Sequence, residues 1–358
     1  MLAFSGLACQ PTAEHEDVAR AAGGDACEAL SGQTIRFIVP FSAGGGYDVY
    51  ARLLKPSLEE ALGARIVVEN RTGAGGRLGA RVIRDADPDG RTLGLLNGYS
   101  LLVNELAEGA TGLHPVLDFT VLGRIAPGDL VWVSRAGSGF TTIEDILGSH
   151  GTPILFGSNG VSSSGFVAAS VAAELLGVDV SYIIGYPGTR ESSLGLMRGE
   201  FDIGASTFES VRDLVDAGDL ILLLQLSDVG REPHPALTDT PVLEGRDGLA
   251  ARIARERGED PARNIALAAA VAALFEVGRL VVGPPGLDPD LGGCLSENLA
   301  RVARAPDFLA AIERAQRVVD FAAPATLVAQ LEASEAEWEP LTAIFRRHAE
   351  LARGDRVR

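Results

Sequence analysis

Four loops in this chain put glycine, serine, threonine or asparagine where an apolar run gives way to a helical pattern. The first spans Pro40 to Asp48 (PFSAGGGYD). Its glycines let the backbone come close to a bound group. The helix that follows leaves its first N–H groups without intrahelical partners. With the helix dipole, those donors favour an anion by roughly 0.3–2 kcal/mol. Ser42, Ala43, Gly44, Gly45, Tyr47 and Asp48 are the candidate contacts. Asp48 is expected to cap its own helix, with a ligand carboxylate kept away from it by an offset pose or by water.

The second loop, Gly157 to Gly165 (GSNGVSSSG), offers Asn159, Ser162, Ser163 and Ser164. Hydroxyl and amide groups can cradle a polar group without a basic side chain. In the third, Gly185 to Arg190 (GYPGTR), Tyr186 is placed to wall an organic ligand and Thr189 to cap a helix or donate. Arg190 reads more simply as a solvated helical arginine than as the partner of a second carboxylate. Thr207 and Phe208 stand at the fourth junction. Each loop also has a plainer account, a tight turn with no ligand, and serines often cap helices for local reasons. Four junctions of one kind carry more weight than any single one, because open α/β sheets bind ligands beyond the carboxyl ends of their strands.

The elements that must position these loops follow from periodicity. Short apolar runs at Ile35–Pro40, Arg65–Glu69 and Thr92–Asn97 suit buried parallel strands. Helical patterns follow the first loop to Leu62 and run from Arg77 to Ala86. Phe119–Ala126 and Val131–Ser134 flank a Pro127-Gly128-Asp129 turn. A second unit then alternates strands at Pro153–Gly157, Val180–Ile184, Phe201–Ala205 and Leu220–Leu226 with helices at Ser164–Leu176, Thr189–Arg198 and Phe208–Ala217. Residues 228 to 263 are expected to be irregular. Arg279–Gly283 is a strand, and Leu287–Ala303 and Pro324–Phe345 are helical. The chain thus contains two α/β units and a helical tail, for which the first unit is the expected support.

Composition removes several classes of chemistry. The net charge of −17 argues against gripping nucleic acid through phosphates. Lys55, the single lysine among 31 basic residues, follows Leu54 and precedes Pro56, so no Gly-Lys-Ser/Thr phosphate loop exists. Gly73-Ala74-Gly75-Gly76-Arg77-Leu78 fails the dinucleotide fingerprint at Leu78. There is no Gly-x-Ser-x-Gly elbow, and His15, His114, His150, His234 and His348 have no metal-ligand spacing. No catalytic residue, metal or cofactor is expected. Cys27 and Cys294 either pair, if the chain is exported, or remain separate thiols. Met1 to Ala8 reads as the tail of a secretory or lipoprotein signal ahead of Cys9, with Gly6 standing where a lipid-acceptor cysteine usually has a large aliphatic residue, or else as a disordered extension. No later apolar run is long enough to span a bilayer.

The runs IRFIVPFSAGGGYDVYARLL, ARIVVENRTGAGGRLGA and DADPDGRTLG, continued by GSNGVSSSG, GYPGTRES, RGEFDIGASTF and GLDPDL, resemble the receptor family of tripartite tricarboxylate transporters. These are the Bug-type periplasmic solute-binding proteins. The resemblance runs from about residue 33 to 345. It implies an α/β, two-lobed periplasmic-binding-protein (type II) fold, each lobe a mostly parallel sheet flanked by helices. Residues 1–32 would be signal remnant and linker, 33–128 with 247–358 the first lobe, and 129–246 the second. It implies a monomer, periplasmic or anchored to the cell envelope, that closes around a small mono-, di- or tricarboxylate and presents it to a membrane permease. Ser42, Ala43, Gly45 and Asp48 would anchor the carboxylate, with Asn159, Ser162, Ser163, Ser164 and Thr189 on the facing lobe. Tyr186-Pro187-Gly188 and the serine-rich second loop depart from the family's usual pattern, which bears on the identity of the ligand. A sensor feeding a membrane signalling partner would share the fold and pocket; an enzyme is the weaker rival.

Overall fold

The computed structural model describes residues 26–108, 112–149, 151–161, 163–226, 234–334 and 338–354. Within them, ten strands form two five-stranded sheets. The first contains β1 (Thr34–Val39), β2 (Arg65–Asn70), β3 (Thr92–Asn97), β4 (Thr120–Ala126) and β10 (Arg279–Gly283), in the order β2-β1-β3-β10-β4. The second contains β5 (Leu130–Arg135), β6 (Ile154–Ser158), β7 (Val180–Ile184), β8 (Ile203–Thr207) and β9 (Leu220–Leu226), in the order β7-β6-β8-β5-β9. β1 runs parallel to β2 in register from Thr34 opposite Arg65 to Val39 opposite Asn70, and β6 pairs with β7 and β8 in the same sense.

Each sheet also holds one antiparallel strand in the same place. β10 lies antiparallel between β3 and β4, and β5 lies antiparallel between β8 and β9. These are the two strands that follow the chain's crossings between sheets, at Pro127–Asp129 and at Val277–Gly278. Each crossing is held by an arginine of the other. Arg279 Nη1 donates to the Pro127 carbonyl at 2.7 Å, and Arg124 Nη1 donates to the Glu276 carbonyl at 2.6 Å.

The helices are α1 (Gly46–Leu62), α2 (Arg77–Arg84), α3 (Gly98–Glu108), α4 (Ile143–Leu147), α5 (Ser164–Leu176), α6 (Thr189–Met197), α7 (Phe208–Asp216), α8 (Leu249–Glu256), α9 (Pro261–Glu276), α10 (Pro289–Val302), α11 (Pro306–Arg314), α12 (Pro324–Ser334) and α13 (Trp338–Ala352). Helix α8 lies in the stretch expected to be irregular. Its arginines and glutamate mask an apolar face, Leu249, Ala250, Ile253 and Ala254, that is buried. Helix α9 begins with Asp260 accepting from the Ala262 N–H and with Pro261 in the first turn, a helix-start arrangement.

Most of the tail leans on the first sheet, as expected, but its last helix does not: α10 and α11 pack on α1 and α12 on β4, whereas α13 packs on α5 and β7 of the second sheet's unit as well as on α3. His348 Nδ1 meets the Tyr182 hydroxyl at 2.7 Å, and Arg347 pairs with Glu174 at 3.0 Å. An apolar helix face shows that the helix is covered, not which sheet covers it. Cys27, ahead of β1, is disulfide-bonded to Cys294 on α10. Cys9 and the signal-like segment lie outside the described residues.

Candidate ligand-binding cleft

Loop one leaves β1 and turns at Gly45 into α1. Gly45 is the N-cap and contributes no side-chain cap bond, so the amides at this helix start are free of intrahelical acceptors. The expected helix-capping role of Asp48 is corrected by the structure. Asp48 is buried and folds back on the loop. Its Oδ2 accepts from the Gly44 N–H and from Arg52 Nε, each at 2.8 Å. Its Oδ1 accepts from Asn70 Nδ2 at 3.0 Å, and the same amide donates to the Phe41 carbonyl at 2.9 Å. Asp48 and Asn70 thus tie the first loop to the end of β2, which explains why the two motifs occur together. Neither Asp48 nor Gly44 is on the cleft wall.

Burial pushes the Asp48 carboxyl up, but Arg52, Gly44 and Asn70 outweigh it and hold the group below its usual range. A depressed carboxyl stabilises the fold fully above the unfolded value of about 3.9, and the contribution is lost as pH falls through the folded value. Arg52 is half exposed, so water screens that ion pair and the two amide bonds carry most of the effect. Asp48→Ala is expected to cost about 1–3 kcal/mol at pH 7 and much less at pH 3. Urea unfolding at the two pH values checks it; an equal cost at both would refute the assignment.

Close approach of α2 completes the brace. A Cβ on Gly79 would lie 2.8 Å from Pro40 Cα and 2.7 Å from the Arg71 carbonyl, so only glycine lets this helix sit against the loop. In the second sheet, a Cβ on Gly165 would lie 2.2 Å from the Ala205 carbonyl, which seats the start of α5 directly on β8. Ser163 caps α5 by accepting from the Phe166 N–H at 3.2 Å, and its hydroxyl lies 2.6 Å from that of Ser158.

These loops enclose a cleft of about 400 Å³ between the sheets, a volume suited to a small molecule. Of the expected site residues, Ser42, Ala43, Gly45 and Tyr47 line it from the first sheet's side, and Asn159, Ser163, Ser164, Tyr186 and Thr189 from the second's. The two walls are close. A Cβ on Gly188 would lie 3.1 Å from Ser42 Oγ. Ser162 lies outside the described residues. Besides Gly44 and Asp48, two more expected contacts are not on the wall. Phe208 is buried in the core beside Val131, Val133 and Leu237, and the Thr207 hydroxyl pairs with that of Ser210 at 2.8 Å. The next residue, Glu209, turns to Arg279 of the first sheet.

Sequence reasoning also missed one wall. Thr72 to Gly76, absent from the expected contacts, line the cleft together with Asn97, which ends β3, and Ser100 in α3. Both segments share the strand-end position of the other loops, which was the available signal. The tyrosines stay neutral. Burial, then the nearby Tyr99, push the Tyr47 phenol well above its usual value. Tyr186 presents its ring while its hydroxyl donates to Glu200 Oε2 at 2.5 Å, and burial with Glu200 pushes it up to about 12. Arg190 and Glu191 are the only charged residues on the wall among the described residues. Among those residues, no cluster of three or more His, Cys, Asp or Glu is placed to hold a metal, and no helix is long and apolar enough to cross a membrane.

This architecture is that of the two-lobed periplasmic binding proteins. The chain superposes on the periplasmic binding protein BugD with a TM-score of 0.68 at 22% identity, over 88% of this chain and 97% of that one. It superposes on MatC from Rhodopseudomonas palustris, solved with bound malate, with a TM-score of 0.66 at 22% identity, over 87% and 99% of the two chains. Residues 50–245 match the profile of the tripartite tricarboxylate transporter family receptor, and the chain belongs to that family. It is 28% identical over 225 residues to a UPF0065 protein of the tcbD-tcbE intergenic region in Pseudomonas sp. strain P51. That match takes in 62% of this chain and spans just under two thirds, 66%, of the relative's length.

Proposed function

We propose that the chain is an extracytoplasmic receptor that captures a small organic carboxylate between its two lobes and delivers it to a tripartite tricarboxylate-type permease, without chemistry on the ligand. One lobe is built on β1–β4 and β10, the other on β5–β9. The observation that carries this reading is the start of α1: an N-terminus with no side-chain cap at Gly45, opening on a cleft faced by Ser163, Ser164 and Thr189. An anion there gains from the free amides and the dipole. The malate bound by MatC, a protein of the same fold, supports the same ligand class.

In this mechanism the ligand's carboxylate meets the first loop while the lobes are apart. Closure then brings up the hydroxyls of the second lobe, in the manner of hinged binding proteins. Binding stays reversible, so dissociation constants near micromolar, about −8 kcal/mol, suit capture and release. The test is a thermal-shift screen of small carboxylic acids, each beside its neutral amide. A ligand that binds only the native state at a hundredfold above its Kd adds about 2.7 kcal/mol of stability. At least one acid is expected to raise the Tm while its amide does not. A screen in which no acid shifts the Tm, or in which amides act equally, contradicts the reading.

A further inference from the structure

We propose that a second cavity, separate from the cleft, is a binding site for an amphipathic anion: an apolar body carrying one acid group. The cavity measures about 340 Å³, again a small-molecule volume. It lies where α3, the second loop and α13 meet, and it shares no lining residue with the cleft. Val161 lines it, while Asn159 and Ser163, two residues to either side in sequence, line the cleft. The second loop thus borders both cavities.

The sequence of α13 builds two faces. Arg347 and His348 turn to Glu174 and Tyr182 of the second sheet's unit. Arg346, Ala349, Glu350 and Arg353 recur at helical spacing and line the cavity instead. The floor is apolar: Val103 of α3, with Val161, Phe345 and Ala349. On the wall two arginines accompany one acid, Glu350, so the local charge balance is positive in a chain of net charge −17. Downstream of Phe345 the sequence holds five arginines against two acids, which adds to that local field. A bare inorganic anion would leave the apolar floor to water. A neutral apolar molecule would gain nothing from the arginines. An acid group on a short chain uses both, since the buried chain gains about 25 cal/mol per Å² and the acid group takes charge-assisted hydrogen bonds from guanidinium groups.

Calorimetric titration of the full chain with octanoate tests this, with octanol as the neutral counterpart. Octanoate is expected to bind about tenfold or more tighter than octanol. Thr189→Trp, which fills the cleft, should leave one octanoate bound per chain. Ala349→Trp, which fills the second cavity, should remove that octanoate. Arg353→Glu should weaken it about threefold or more; Arg353 is exposed, so this change leaves the packed face of α13 intact. No octanoate binding to the parent, or binding lost in Thr189→Trp yet unchanged in Ala349→Trp and Arg353→Glu, would overturn the proposal. Flotation with phosphatidylglycerol vesicles separates the two sources of such an anion. Chain that floats with the vesicles and is released by octanoate marks a lipid, and chain that stays behind marks a free acid. The carboxylate reading of the cleft is tested separately and stands or falls without this site.

Discussion

Arg279→Met is expected to lower unfolding stability by about 3–5 kcal/mol, because it strands a buried carboxylate. Arg279 opens β10 in the first sheet, and its side chain is 3% exposed, as is that of Glu209 on α7 of the second. The two meet at 2.8 Å. Glu209 also accepts from the Tyr50 hydroxyl at 3.2 Å, and its backbone carbonyl accepts from Arg317. The guanidinium lies over the Tyr50 ring at 4.6 Å and the Tyr47 ring at 5.5 Å. Burial pushes the arginine's pKa down, but the Glu209 charge and the surrounding tyrosines more than reverse it, so it remains a cation. This pair joins the two sheets behind Tyr47, a cleft residue, so ligand affinity should fall along with stability. Glu209→Gln combined with Arg279→Met should cost less than the two single changes summed, since neither charge is then left alone. Urea denaturation reads all three variants; a single-variant cost under about 1 kcal/mol would contradict the role given to the pair.

Removing the Cys27–Cys294 bridge should cost about 2–5 kcal/mol. The two Cα atoms are 6.0 Å apart although 267 residues separate them in sequence. Both cysteines are buried, and the bridge pins the segment before β1 to α10. Without it, the unfolded chain regains a very long loop's freedom. The double variant Cys27→Ser/Cys294→Ser should unfold at lower urea than the parent, and reductant should shift the parent alone. Identical midpoints for the parent with and without reductant would show that the bridge contributes nothing. Such bridges persist in oxidising compartments, in keeping with the proposed extracytoplasmic location.

Much of the fold was legible because its strands are short, apolar and followed by helix-start residues. Thr92–Asn97, Val180–Ile184, Leu220–Leu226 and Arg279–Gly283 fall where periodicity puts them. Nine of the expected contacts reach one cleft for the same reason: strand ends of an α/β sheet point one way. What stayed hidden depends on side-chain direction and long-range packing. Nothing local says that Asp48 turns inward to Gly44 and Asn70, or that Phe208 fills the core. The weight of α13 on β7, and the alignment of Thr72–Gly76 with the other loops, arise only once distant segments are brought together.

The central claim is that backbone amides at the start of α1 hold a carboxylate within a closing cleft. Calorimetric titration with the acid that gives the largest thermal shift, set beside its primary amide at the same pH, tests it most directly. The account predicts an acid Kd near micromolar and an amide weaker by about tenfold or more. Equal affinity for acid and amide would contradict it.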